Sequence, residues 1–379
     1  MKKFLSLLLA CLFLATFVAC NKEQKTDESE AGNEVTEDVV TQPEQEAAEE
    51  AETPATAEEE LDLAGKTAVM ITDEGGINDE SFNQSAWNGM ERLEQELGIK
   101  VSFIESHKDA EYIPNLELAV DQGNDLVWGI GFLVKTALTE VAHDYPEQLF
   151  GLIDDVFEEG EVPNAVGVEF AAEQSSFLVG YIAGMMTKTD KIGIVIGAEF
   201  PTMFRFRYGF EAGINYAAKE LGKEIEFLYN NIETFSDTAK AKATAQQMYH
   251  SGADIVFQCA GLAGSGVIEA AKELDQWAIG VDLDQNSLAP DNVLTSALKN
   301  VDVAIFEISK RILSGEELGG QNVLFGIKDN GVGIAPSSDK HVPAEILEKV
   351  DQLIELIKAD EIQVPYSEEL YNEFMAGLK

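Results

Sequence analysis

The chain has 379 residues, with 26 Lys and Arg against 69 Asp and Glu, and a formal net charge of −43. So large an acidic excess excludes nucleic acid and a bare anionic membrane surface as partners, and it says nothing of fold. The four histidines, His107, His143, His250 and His341, are scattered and none lies at zinc-ligand spacing from another or from a cysteine, so neither a metal nor a cofactor is expected.

The amino terminus reads as an export signal over 1–19. Lys2 and Lys3 form a charged start, Phe4–Val18 is largely apolar, and small residues at Val18-Ala19 precede Cys20. The apolar run falls short of the about 20 residues that a transmembrane helix needs. Small residues followed at once by Cys resemble a bacterial lipobox, with Phe17 where Leu is usual. Cys20 is therefore the expected lipidation site, with Leu9-Ala10-Cys11 as a rival that would leave a very short apolar core. With Cys11 in the signal and Cys20 acylated, Cys259 has no disulfide partner and reads as a buried packing residue. The segment 20–65 is rich in Glu, Ala and Thr and has no aromatic residue. Such a chain buries too little surface to offset its ordering entropy, and a self-repelling acidic tether is expected.

From Lys66 onward, short apolar runs alternate with helical patterns. Strands are expected at Thr67–Thr72, Val101–Glu105, Leu126–Ile130, Phe150–Ile153 and Ala165–Val168, then at Lys191–Ile196, Glu224–Tyr229, Ile255–Cys259, Ala278–Val281 and Val293–Ala297. Helices are expected at Ser81–Leu97, Ala171–Thr187, Arg205–Leu221, Ser236–Ser251 and Val301–Leu313. This alternation predicts an α/β architecture of doubly wound parallel sheets.

The pattern also repeats. Asp125-Leu126-Val127-Trp128 echoes Asp254-Ile255-Val256-Phe257, and Gly151-Leu152 echoes Gly280-Val281, both at a spacing of 129. Phe82, Gly89 and Leu97-Gly98 echo Phe206, Gly213 and Leu221-Gly222 at a spacing of 124. Two similar lobes facing a common cleft are expected. The loops at the carboxyl ends of their strands should line it, as in open α/β sheets generally.

Those loops hold Asp73–Asn83, Asp154-Asp155, Glu199–Phe206, Asn230–Asp237, Gly261–Gly266 and Asp282–Gln285. Asp73, Asp154 and Asp282 follow strands and, ionised, accept from hydroxyl or N–H donors; helix capping or bridging across the cleft is the alternative for each. Asn83 adds an amide. Phe82, Phe206 and Phe235 offer flat apolar faces from both halves. Hydrogen-bonding groups beside such faces suit a polar aromatic ligand better than a metal or a phosphate. In Gly261-Leu262-Ala263-Gly264-Ser265-Gly266 the spacing reverses the dinucleotide fingerprint, and no Lys stands where a phosphate loop needs one. Gly261 and Gly264 either admit ligand to main-chain N–H groups or form a tight turn. Lys299 either donates to ligand or pairs with Asp282.

Five stretches resemble the bacterial basic membrane protein family of lipoproteins, which are purine nucleoside receptor A-like: Asn78-Asp79-Glu80-Ser81-Phe82-Asn83-Gln84, Gln174–Tyr181, Ala260–Val267, Gly280–Gln285 and Leu294–Lys299. The resemblance runs in family order from Lys66 to about Gly333. It implies a type I periplasmic-binding-protein fold, two lobes joined by a hinge, serving an ABC importer with its permease and ATPase subunits. It implies that Phe82 stacks on a purine, that Asp73 contacts the base, and that Asp282 and Lys299 hold the ribose. For the second stacking ring, the family motif favours Phe235 of Thr234-Phe235-Ser236-Asp237 and the internal echo favours Phe206. Leu262 departs from the small residue usual after the first glycine.

The expected protein is thus a non-enzymatic, lipid-anchored nucleoside-binding protein on the extracytoplasmic face of a cell membrane, purine nucleosides foremost. Its binding domain would span 66–379, with lobe 1 from 66–170 and 284–320 and lobe 2 from 171–283 and 321–379. The alternatives are the same fold holding a sugar or other small solute, or a surface lipoprotein without a transport role. A nucleoside hydrolase would need a placed base and nucleophilic water, and the sequence offers only the acids.

Overall fold

A computed structural model describes residues 63–378. The expected signal at 1–19, the lipidated Cys20 and all but the last residues of the tether lie outside the described residues, as does Lys379.

The chain builds two six-stranded sheets. Strands β1 (Thr67–Ile71), β2 (Lys100–Ile104), β3 (Leu126–Ile130), β4 (Leu149–Ile153) and β5 (Ala165–Phe170) form the first, in a purely parallel array. Strands β6 (Lys191–Ile196), β7 (Glu226–Asn231), β8 (Ile255–Cys259), β9 (Trp277–Asp282) and β10 (Val293–Lys299) form the second. Two short late strands complete them: β11 (Asn322–Phe325) pairs parallel to β5, and β12 (Val332–Ile334) antiparallel to β10. The orders β11-β5-β4-β3-β1-β2 and β12-β10-β9-β8-β6-β7 are the same order twice. The sequence echo follows from this, since it equates β3 with β8 and β4 with β9.

Both sheets are covered on two faces, which is why their central strands are apolar throughout rather than alternating. In β1, Val69 and Ile71 pack with α2 (Tyr112–Asp121) and α3 (Lys135–Asp144), while Ala68 and Met70 face α1 (Phe82–Leu97). In the second lobe α4 (Ala172–Met186) and α5 (Pro201–Leu221) cover one face and α6 (Thr238–His250) and α7 (Ser265–Leu274) the other. Helix α8 (Val301–Leu313) packs on α1, α9 (Ala344–Lys358) on α4 and α10 (Glu368–Gly377) on α5. The pairs α1–α8 and α4–α5 touch through the echoed glycines. A Cβ on Gly89 would stand 2.7 Å from the carbonyl oxygen of Asp302, and one on Gly213 2.1 Å from that of Phe177.

The expected lobe boundary at 284 is displaced. Strand β10 pairs with β9 and stays in the second lobe, so the chain returns to the first only at Asn300, entering α8. The first lobe then extends through β11, past the expected 320. The reason is the crossover itself: β10 is the neighbour of β9 just as β5 is of β4, and each lobe hands the chain over only after that strand. Helix α5 also begins four residues before its expected start, at Pro201, whose fixed φ suits a first helical turn.

Candidate binding cleft between the lobes

The loop after β1 is organised by Asp79. Its carboxylate accepts from the backbone N–H groups of Ser81 (2.9 Å), Asn83 (2.9 Å) and Gln84 (3.1 Å), donors that the first turn of α1 leaves unpaired. It also accepts from Asn83 Nδ2 at 3.1 Å, and the same Nδ2 donates to Asp73 Oδ1 at 2.7 Å. Asp73 Oδ1 takes a further bond from the Gly75 N–H, 3.1 Å. Burial pushes the Asp73 carboxyl up to about 7, against the pull of Asn83 and Gly75. Asp79 is raised too, again chiefly by burial. Phe82, the first residue of α1, is 8% exposed and turns its ring into the cleft wall. Gly131, at φ +101°, follows β3; a Cβ there would meet Asp73 Oδ2 at 3.1 Å and Phe82 Cε1 at 3.3 Å.

At the other end of the cleft, Asp154 follows β4 and Asp282 ends β9. Both adopt left-handed backbone, φ +72° and +64°, a conformation that Asp tolerates better than most residues but at a cost on the order of 1–3 kcal/mol. That turn aims both carboxylates across the interface. Lys299, the last residue of β10, is 3% exposed; its Nζ lies 2.5 Å from Asp154 Oδ2 and 3.8 Å from Asp282 Oδ1. Asp154 of the opposite lobe is therefore its main partner, and Asp282, the partner expected from sequence, is the more distant. Burial alone would lower the Lys299 pKa, but Asp154 and Asp282 outweigh it and hold the ammonium above its usual range. Burial pushes Asp282 up to about 6, opposed by Lys299 and by the Ser81 hydroxyl, which donates to Oδ2 at 2.5 Å. The ammonium also lies 4.3 Å from the centroid of the Phe82 ring and 5.6 Å from that of Phe206.

The lobes are bridged by several such bonds. Besides Ser81–Asp282 and Lys299–Asp154, Thr202 Oγ1 donates to the Asp154 carbonyl (3.0 Å), Gln285 Nε2 to that of Glu80 (2.8 Å), and the Phe235 N–H to Glu74 Oε1 (3.4 Å). Phe132 stacks on Phe200 across the gap with centroids 4.1 Å apart and planes 10° apart.

Between them lies a cleft whose atom-free space, about 510 Å³, includes open solvent at its mouth. Asp73, Phe82, Asn83, Asp154, Phe206, Phe235, Gly261, Asp282 and Lys299 all line it. Gly264 does not: a Cβ there would stand 1.7 Å from Gln258 Oε1, so this glycine makes room for a buried glutamine that donates to Gln285 Oε1 at 2.7 Å. Cys259 is buried as expected, yet its β8 position also puts it in the cleft wall, with Leu262, Met203 and Val281. Sequence reasoning passed over Asp79, Gly131 and Phe132. The echo carried the signal for the last, because Phe132 stands 129 residues before Gly261, in the equivalent loop. Two buried acceptors have no hydrogen-bond partner, Asn83 Oδ1 and Asp154 Oδ1. Buried oxygens of this kind are ordinarily met by water, an ion or a ligand, and these two belong to residues that line the cleft.

Among the described residues, no group of His, Cys, Asp and Glu has the arrangement of a metal site, and no helix is long and apolar enough to cross a membrane.

Two such lobes facing one cleft lined with polar and aromatic side chains make the type I periplasmic-binding-protein fold. An ABC-transporter solute-binding protein from Aeropyrum pernix shares the fold at a TM-score of 0.74 and 28% identity, over 83% of this chain and 97% of that one. A second, from Conexibacter woesei, superposes at 0.64 with 24% identity, over 79% and 99%. The chain belongs to the Bmp family, described as ABC transporter substrate-binding protein PnrA-like, whose profile matches residues 66–368. Basic membrane protein A of Borreliella afzelii is 37% identical over 316 residues, 82% of this chain and 95% of the relative. A CD4+ T-cell-stimulating antigen of Listeria monocytogenes is 35% identical over 320 residues, 79% and 88%. The protein is accordingly an ABC transporter substrate-binding protein, a class that captures solutes rather than transforming them.

Proposed function

We propose that this protein captures nucleosides, purine nucleosides foremost, and delivers them to an ABC importer. One observation carries the reading: aromatic rings from opposite lobes line one cleft together with two residues that hold unpaired buried acceptors, Asn83 with its Oδ1 in the Asp73 group and Asp154 with its Oδ1 in the Lys299 group. A planar base bearing N–H groups suits the first end and a sugar bearing hydroxyls the second. Phe82 serves as one stacking face. Phe235 serves as the other, since its backbone bonds to Glu74, the neighbour of Asp73, and its ring meets Phe132 edge-on at 5.9 Å. Phe206 then floors the Lys299 end. Asp154, Asp282 and Lys299 together carry one excess negative charge, which favours neutral hydroxyls and disfavours phosphates. A ligand bonded to both lobes stabilises the closed form by the contacts it makes only there.

The anchor at Cys20 and an extracytoplasmic site belong to the same proposal, as do the permease and ATPase partners. Calorimetric titration with guanosine, inosine, adenosine and ribose tests the ligand. Nucleosides should bind far more tightly than ribose; ribose competing as well as any nucleoside would refute the reading in favour of a sugar receptor. Cys20→Ala tests the anchor and should release the protein from membranes.

A further inference from the structure

We propose that the base end of the cleft selects purines presenting two adjacent donors, N1–H and a 2-amino group, over adenine; the inference rests on the nucleoside reading above. The argument starts from the orientation of one amide. Asn83 is 1% exposed, and its Nδ2 is spent on two carboxylates, Asp73 Oδ1 at 2.7 Å and Asp79 Oδ2 at 3.1 Å. Turning the amide over would set its carbonyl oxygen against both carboxylates with no proton between them. Asp79 cannot swing away to relieve this, because three backbone N–H groups of α1 hold it. The side chain is therefore locked with Nδ2 toward the carboxylates and Oδ1 on the side away from them, buried and unpartnered.

Its neighbour offers the same chemistry. Asp73 uses Oδ1 for Asn83 and Gly75, leaving Oδ2 beside Gly131, where the absence of a side chain keeps the approach open. With Asp73 ionised, as it mainly is at pH 8, the edge thus presents two oxygens, tied together by the Asn83–Asp73 bond, and no donor. Guanine meets two such acceptors with N1–H and the 2-amino group. Hypoxanthine supplies N1–H alone. In the same pose adenine sets N1, an acceptor, against one of these oxygens and C2–H against the other, with its 6-amino group on the far side of N1. A site built to bond a donor rejects an analogue lacking it more strongly than an apolar pocket rejects a change of size. Burial also pushes Asp73 up to about 7, so its ionised form gains most from ligand N–H groups. In this scheme Asp79 is a positioning residue, acting through Asn83.

The test is calorimetric titration of the purified protein at pH 8 with guanosine, inosine, 1-methylguanosine and adenosine. Guanosine should bind at least tenfold tighter than adenosine, with inosine between them, and methylation at N1 should remove at least tenfold from guanosine. Adenosine binding as tightly as guanosine overturns the inference while leaving the nucleoside reading intact; failure of all four to bind overturns both. Asp79→Asn supplies the second arm. A carboxamide at 79 removes one of the two carboxylates that hold the Asn83 amide and leaves only Asp73 to orient it, so the guanosine-to-adenosine ratio should fall. Adenosine binding shows that the variant is folded. A ratio unchanged in a variant that still binds adenosine counts against the positioning role.

Discussion

The two ends of the cleft are built by opposite means. The Asp73–Asn83 end comes from a single lobe, with the loop after β1 and the first turn of α1 locked together by Asp79 before any closure occurs. The Asp154–Lys299 end exists only when the lobes meet, because its ion pair joins β4 of one to β10 of the other. A preorganised end reads chemical identity at little cost in ordering, whereas an end assembled by closure couples recognition to movement.

The sharpest way to break the assembled end is Lys299→Ala. It would leave Asp154 and Asp282 buried beside each other without a counter-charge, and removing one member of a buried pair costs about 3–5 kcal/mol. Denaturant titration should show most of that loss and nucleoside affinity should fall at least a hundredfold; unchanged stability would mean that the pair is not formed in solution.

The preorganised end should instead reveal itself through pH. The folded value of Asp73, about 7, lies above the ordinary 3.8, so its contribution to stability is complete below about pH 4 and is lost as pH rises through 7. Asp79, Glu74 and Tyr112 face it, with Lys299 farther off. The window amounts to up to roughly 4 kcal/mol. Thermal melts between pH 4 and pH 8 should flatten in Asp73→Asn relative to the parent, and equal slopes would show that the carboxyl titrates normally.

Asp282→Asn keeps a residue that tolerates positive φ and removes one charge. Nucleoside binding should weaken by about 2–3 kcal/mol, the usual loss for charge-assisted bonds, while Tm at pH 8 holds or rises because like-charge repulsion with Asp154 is relieved. A Tm that drops in step with affinity would assign Asp282 a purely structural role. Phe235→Ala is the mildest change, with roughly 1–3 kcal/mol expected for a lost base-stacking face. A full-strength complex in that variant would transfer the second stacking face to Phe206.

Much of this contrast was legible in the residues. The repeat from Phe82 to Phe206 and from Asp125 to Asp254 defined two lobes, because central strands buried on both faces and helices ending in glycine leave strong local patterns. Both Gly98 and Gly222 end their helices in left-handed backbone. The loops that hold eight of the nine expected residues found in the cleft followed from strand ends; the ninth, Lys299, closes β10 outside them. What escaped depended on long-range partners. Strands β11 and β12 span four and three residues, too short for a period to register, and exist because an edge awaits them. Gly264 faces Gln258 rather than the cleft, which only packing decides. Asp79 looked like one carboxylate among several until its bonds to α1 and Asn83 singled it out.

Lys299 is followed at once by Asn300, where the chain leaves the second sheet for the first lobe. The ammonium is thus mounted on the pivot. A rotation at that joint would part it from Asp154 of the first lobe, while Asp282, on the neighbouring strand of the same sheet, would travel with it.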